Sequence, residues 1–99
     1  MKSSPLLTFS MISNVVETSQ FKKNFATLPL HLQDAFILAF EIFLEDPYDP
    51  ALALHPLREN LAGKMAFSID GENRCIIRMT KDDTEVILFD IGDHSIYSR

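Results

Sequence analysis

The period of the apolar residues changes once along this chain, at Gly63-Lys64, and that change limits what it can fold into. Before it, Leu32, Ala35, Phe36, Ala39, Phe40, Phe43 and Leu44 recur at spacings of three and four, the period of an amphipathic helix. After it, Met65, Phe67 and Ile69 alternate with Ala66, Ser68 and Asp70, the period of a strand. Asp70-Gly71-Glu72-Asn73 has the composition of a hairpin turn, and Arg74-Cys75-Ile76-Ile77-Arg78-Met79 returns from it. Lys81-Asp82-Asp83 is a second polar turn. Thr84 to Asp90 follows as a strongly apolar strand, covered on both faces.

The first half supplies the helices. Residues 11–17 can form an opening strand. Thr18 or Ser19 can then cap a short helix with Phe21 and Phe25 one turn apart. Leu28-Pro29 stops it, because the residue before a proline avoids the helical region. The second helix starts near Pro29-His31 and ends at Glu45-Asp46-Pro47. Ile37, Leu38 and Ile42 widen its apolar surface beyond one core face. That surplus fits either packing on two sides or a partner chain. The expected fold is α+β, a twisted antiparallel sheet made of the N-terminal strand and a C-terminal three-strand meander, with two helices on one face. A cleft is expected where the far face meets the C-terminal tail.

A chain of 99 residues suits one domain, expected over 11–99, with 1–10 a flexible leader. One cysteine, Cys75, excludes an internal disulfide and suits a reducing, cytoplasmic setting. No run of apolar residues is long enough to span a membrane. The net charge of −5 argues against broad binding to nucleic acid. The charge is polarised, however: residues 56–81 carry five basic side chains against three acidic ones.

Phosphate-binding loops, dinucleotide glycine patterns and paired-cysteine metal motifs are absent, and neither a metal nor a small-molecule cofactor is expected. His31 opens an amphipathic helix and suits the surface. His55 lies in a loop before the meander and His94 follows the last strand, and imidazole is the group best matched to proton transfer at neutral pH. Arg74 and Arg78 share one side of their strand and could hold phosphates. Arg74 could equally pair with Asp70 or Glu72 in its turn. Tyr97 could stack on a base or anchor the tail in the core.

Phe21-Lys22-Lys23-Asn24-Phe25, Leu28-Pro29, Leu32 to Phe36, Asp46-Pro47, His55-Pro56-Leu57, Leu61-Ala62-Gly63, Phe67-Ser68-Ile69, Asn73 to Ile77 and Leu88 to His94 occur here in a characteristic order and spacing. Over residues 11–97 this pattern resembles the RelE/ParE superfamily of type II toxins, and within it the RelE/YafQ-like mRNA interferases. The resemblance implies ribosome-dependent cleavage of mRNA by 2′-hydroxyl attack, inhibition of translation, and a cognate antitoxin as partner. It further implies His55, Arg74, His94 and Tyr97 as active-site residues, with Lys64 and Arg78 contacting RNA.

Two features depart from the family. Many such toxins are strongly basic, and Ser68 and Asn73 stand where some YafQ-like members carry a further histidine and acid. A degenerate, non-catalytic antitoxin-binding protein is therefore one alternative reading, and a gyrase-inhibiting, ParE-like toxin, which would act by binding without a catalytic histidine, is another.

Overall fold

The computed structural model describes residues 12–98. The expected leader, and the first residue of the expected opening strand, lie outside them. In chain order come β1 (Asn14–Glu17), α1 (Ser19–Thr27), α2 (Leu30–Glu45), a 3-10 turn (Pro50–Leu52), β2 (His55–Pro56), a second 3-10 turn (Glu59–Leu61), β3 (Met65–Ser68), β4 (Arg74–Thr80), β5 (Glu85–Gly92) and a final 3-10 turn (His94–Ser98).

Local chemistry accounts for the boundaries. Thr18 caps α1, its hydroxyl accepting from Phe21 N–H at 3.0 Å. Leu28 is extended before Pro29, and α2 begins at the next residue. Asp70 builds the β3–β4 turn by accepting from the N–H groups of Glu72 and Asn73 at 2.8 and 2.7 Å.

Among the described residues the sheet has the order β1-β5-β4-β3-β2. The meander β3-β4-β5 is antiparallel as expected. The N-terminal strand is not: β1 runs parallel to β5, with Val15 opposite Val86 and Glu17 opposite Leu88. The sheet is therefore mixed rather than antiparallel throughout. The cause is the helical connection, since α1 and α2 carry the chain away from β1 and let the last strand return beside it in the same direction. The short strand β2 was expected to be loop; two residues carry too little pattern to be seen.

The core lies between the helices and one sheet face. Phe21, Phe36, Ala39 and Phe43 meet Phe67, Cys75, Ile77, Val86, Leu88 and Ile91. Phe43 and Phe36 stack on Phe67 with centroids 5.2 and 6.3 Å apart. A β-bulge at Phe89 interrupts the register: Ile76 opposes Asp90, whereas Ile77 opposes Leu88. The extra residue lets Leu88 and Ile91 face the same core although they are three apart.

Candidate functional site at the sheet face away from the helices

Strand pairing decides which side chains share the outer face. His55 pairs with Ala66, Ala66 with Ile76, and Ile76 with Asp90, so these four form one row across β2, β3, β4 and β5. Three strand spacings, about 14 Å, separate the backbones of His55 and Asp90. Arg74 and Arg78 flank Ile76 on the same side of β4. Arg74 pairs with Gly92, the last residue of β5, which delivers the tail to that corner.

The tail forms a single 3-10 turn. Asp93 starts it, its carboxylate accepting from Ser95 N–H at 2.9 Å. Ile96 is buried and anchors it. His94 is exposed, and its ring stacks with that of Tyr97 at 5.7 Å between centroids. Burial pushes the Tyr97 hydroxyl above its ordinary pKa, and the positive charge of Arg74 partly offsets this. Arg74, His94 and Tyr97 thus occupy one corner of the sheet.

Arg74 is partly engaged by its own turn, its Nη1 donating to the carbonyls of Asp70 and Asn73 at 3.0 Å each. The remaining guanidinium donors are free to serve another acceptor. Lys64 stands with its Nζ 4.6 Å from the centre of the Phe89 ring. It borders a cleft of about 200 Å³ lined also by Thr18, Ile76, Asp90 and Ile96. This is where a cleft was expected, between the outer face and the tail.

No family model matches the chain, and no curated protein matches it in sequence. Solved structures do match. A chain of the RelBE2 toxin–antitoxin complex from Mycobacterium tuberculosis aligns with a TM-score of 0.67 at 21% identity, covering 89% of this chain and 100% of that one. The YoeB/ParE toxin from Agrobacterium tumefaciens gives 0.70 at 14% identity, covering 83% and 99%. A chain of the E. coli DinJ-YafQ toxin–antitoxin complex gives 0.68 at 13% identity, covering 83% and 92%. The chain has the RelE/ParE toxin fold.

Within this RelE/ParE fold, Arg74, His94 and Tyr97 come together and Lys64 faces the adjoining cleft. His55 shares the outer face but stands on the far strand, its Nδ1 2.9 Å from the Ala53 carbonyl oxygen. Arg78 is exposed two residues beyond Ile76. His31, at the start of α2, is exposed. Among the described residues no group of three or more histidine, cysteine or acidic side chains is arranged to hold a metal. Cys75 is fully buried, and desolvation, then the charge of Asp90, pushes its thiol well above the ordinary value. Such a thiol is a core side chain, not a nucleophile.

Sequence reasoning missed the role of Asp90. It is the one charged residue buried among those described, and it accepts hydrogen bonds from Gln20 and Asn24 of α1. Its signal was a lone carboxylate inside the apolar run Val86 to Ile91.

Proposed function

We propose that this chain is the toxin of a type II toxin–antitoxin pair and an endoribonuclease that cuts mRNA on the ribosome. The observation that carries the reading is the gathering of Arg74, His94 and Tyr97 at one corner of the outer face, on a fold shared with RelE, YoeB and YafQ structures.

The chemistry follows from these groups. The 2′-hydroxyl of the RNA attacks the adjacent phosphorus, its proton passes to a base, and the 5′-oxygen of the next nucleotide leaves with a proton from an acid. The products are a 2′,3′-cyclic phosphate and a 5′-hydroxyl. The exposed imidazole of His94 serves as one proton carrier, and His55, across the same face, as its complement when RNA lies between them. Arg74 holds the phosphate and offsets charge as it grows in the transition state. Tyr97 offers its ring to a base, and Lys64 and Arg78 hold flanking phosphates.

The antitoxin contact falls on α2. Leu30, Ile37 and Leu38 expose 71%, 49% and 63% of their area, and Leu38 and Ile42 border an apolar groove closed by Leu52 and Ile69. Two of the matching structures are toxin–antitoxin complexes, which supports a partner of this kind.

Induced expression without antitoxin tests the reading. Growth arrest is expected for the wild type and its loss for His94→Ala combined with His55→Ala. Arrest that persists in the double variant contradicts the assignment. Incubation with gyrase and supercoiled DNA separates the gyrase-directed alternative, which would accumulate cleaved complexes.

A further inference from the structure

The buried carboxylate of Asp90 lies outside the reaction just described, yet three observations tie it to the residues that carry it. First, Asp90 Oδ2 accepts from Gln20 Nε2 at 2.8 Å, and Oδ1 accepts from Asn24 Nδ2 at 2.7 Å and from Ile91 N–H at 2.8 Å. Gln20 and Asn24 are one helical turn apart and so present two amides from one face of α1. Second, Thr18 extends the same seam: its N–H donates to the Leu88 carbonyl at 3.1 Å and its hydroxyl to the Phe89 carbonyl at 2.9 Å. Helix α1 therefore continues the edge of β5 where β1 stops, and it does so at the bulge. Third, β5 runs from Asp90 through only two more residues before the tail, and Asn24 and Thr27 of α1 border a cleft with Gly92, Asp93 and Ser95.

We infer that Asp90, Gln20 and Asn24 are positioning residues, a latch built on one buried carboxylate that holds the end of β5 against α1 and so sets the His94–Tyr97 turn beside Arg74. A carboxylate is costly to bury without strong partners, and a leucine or isoleucine would fill the position without them. What the carboxylate adds is direction. Charge-assisted hydrogen bonds at these lengths specify one placement of the strand end, where apolar packing would allow several. After the bulge at Phe89 the pairing with β4 resumes for only three residues, Asp90 to Gly92, and β1 stops opposite Leu88, so α1 alone holds the other edge of the strand end.

Two readouts test the latch, and only the second rests on the nuclease reading. The first is the set of nuclear Overhauser contacts from the His94 and Tyr97 rings to the Arg74 side chain in the full chain. Asp90→Ala is expected to lose them while the methyl signals of Ile77 and Leu88 stay in place. Asp90→Asn is expected to keep them. Its oxygen can still accept from Asn24 and the Ile91 N–H, and the Gln20 amide can turn its oxygen toward the new amide. If Asp90→Ala does not fold, Asn24→Ala, at a half-buried position, replaces it with the same expected loss. The second readout is RNA cleavage: kcat falls about a hundredfold with KM near wild type in Asp90→Ala or Asn24→Ala, and Asp90→Asn recovers most of it. Wild-type ring contacts in a folded Asp90→Ala or Asn24→Ala chain would overturn the latch. A wild type that cuts no RNA would sink the nuclease reading, and the ring contacts would still decide the latch.

Discussion

His94 and Tyr97 stack their rings within one 3-10 turn, 5.7 Å apart and 29° from parallel, at the corner where Arg74 pairs with Gly92. The stacking fixes the imidazole from one side and leaves the other open. On the proposed reaction, His94→Ala lowers cleavage about 10²- to 10⁴-fold, the usual worth of a positioned proton carrier. Tyr97→Phe retains the stack and most of the rate, whereas Tyr97→Ala loses both. Single-turnover cleavage of a defined RNA distinguishes them.

Arg74 has two tasks, in its turn and at the phosphate, and they separate by substitution. Arg74→Ala removes hydrogen bonds to the Asp70 and Asn73 carbonyls and lowers stability by about 1 kcal/mol. Arg74→Lys keeps the charge but lacks the planar fork, so cleavage falls well beyond what the stability loss explains. Denaturant unfolding and cleavage rate, measured on the same samples, check both statements.

The core predicts a large stability effect without a change of fold. Phe43 is fully buried and stacks on both Phe40 and Phe67. Phe43→Ala destabilises by about 3–5 kcal/mol. Glu41→Ala, an exposed position on the same helix, stays within about 0.5 kcal/mol. Urea titration reads the difference directly.

Acid weakens the β3–β4 turn. The Glu72 N–H, with help from Asn73 and Arg74, holds the Asp70 carboxyl below the ordinary aspartate value against a smaller desolvation effect. The folded chain thus binds this proton more weakly than the unfolded chain does. The resulting stability is present above the ordinary aspartate pKa and is lost as pH falls through the lowered folded value. Asp70→Asn should lower the melting point at neutral pH, where the carboxylate contributes in full, and flatten that part of the acid melting curve. Following thermal midpoints of both proteins down through the carboxylate range tests this.

The apolar surplus on α2 predicts where a partner docks. Leu38→Asp is expected to abolish binding of the product of the adjacent gene and leave the free chain's stability within about 0.5 kcal/mol, since most of this side chain is exposed. Calorimetric titration of the two proteins checks it. Unchanged affinity would move the contact elsewhere.

Much of this architecture was legible because period, caps and turns agree. The helix over Leu30–Glu45 stood out through its three-and-four spacing, and the meander through alternation between polar turns. The parallel pairing of β1 was not legible, because the four residues Asn-Val-Val-Glu show no alternation and do not record the direction of a neighbour. The Phe89 bulge was hidden for a similar reason: in an apolar run, one inserted residue leaves no break in composition. At the candidate site, Arg74 was visible at the start of one strand and His94 and Tyr97 after the end of the next. Their company depends on the register of Arg74 with Gly92, which only the fold supplies. His55 lies in the same row as Asp90, a relationship that runs through three strand pairings and has no trace in local sequence.

On the proposed reaction, the Arg74, His94 and Tyr97 corner cuts ribosome-bound mRNA. The most direct test is to add the purified chain to ribosomes paused on a defined mRNA and to map the ends of the cut RNA. The expected result is a cut in the A-site codon with a cyclic phosphate on the upstream fragment, lost in His94→Ala. Intact mRNA with the wild-type chain, or wild-type cutting by His94→Ala, would contradict it.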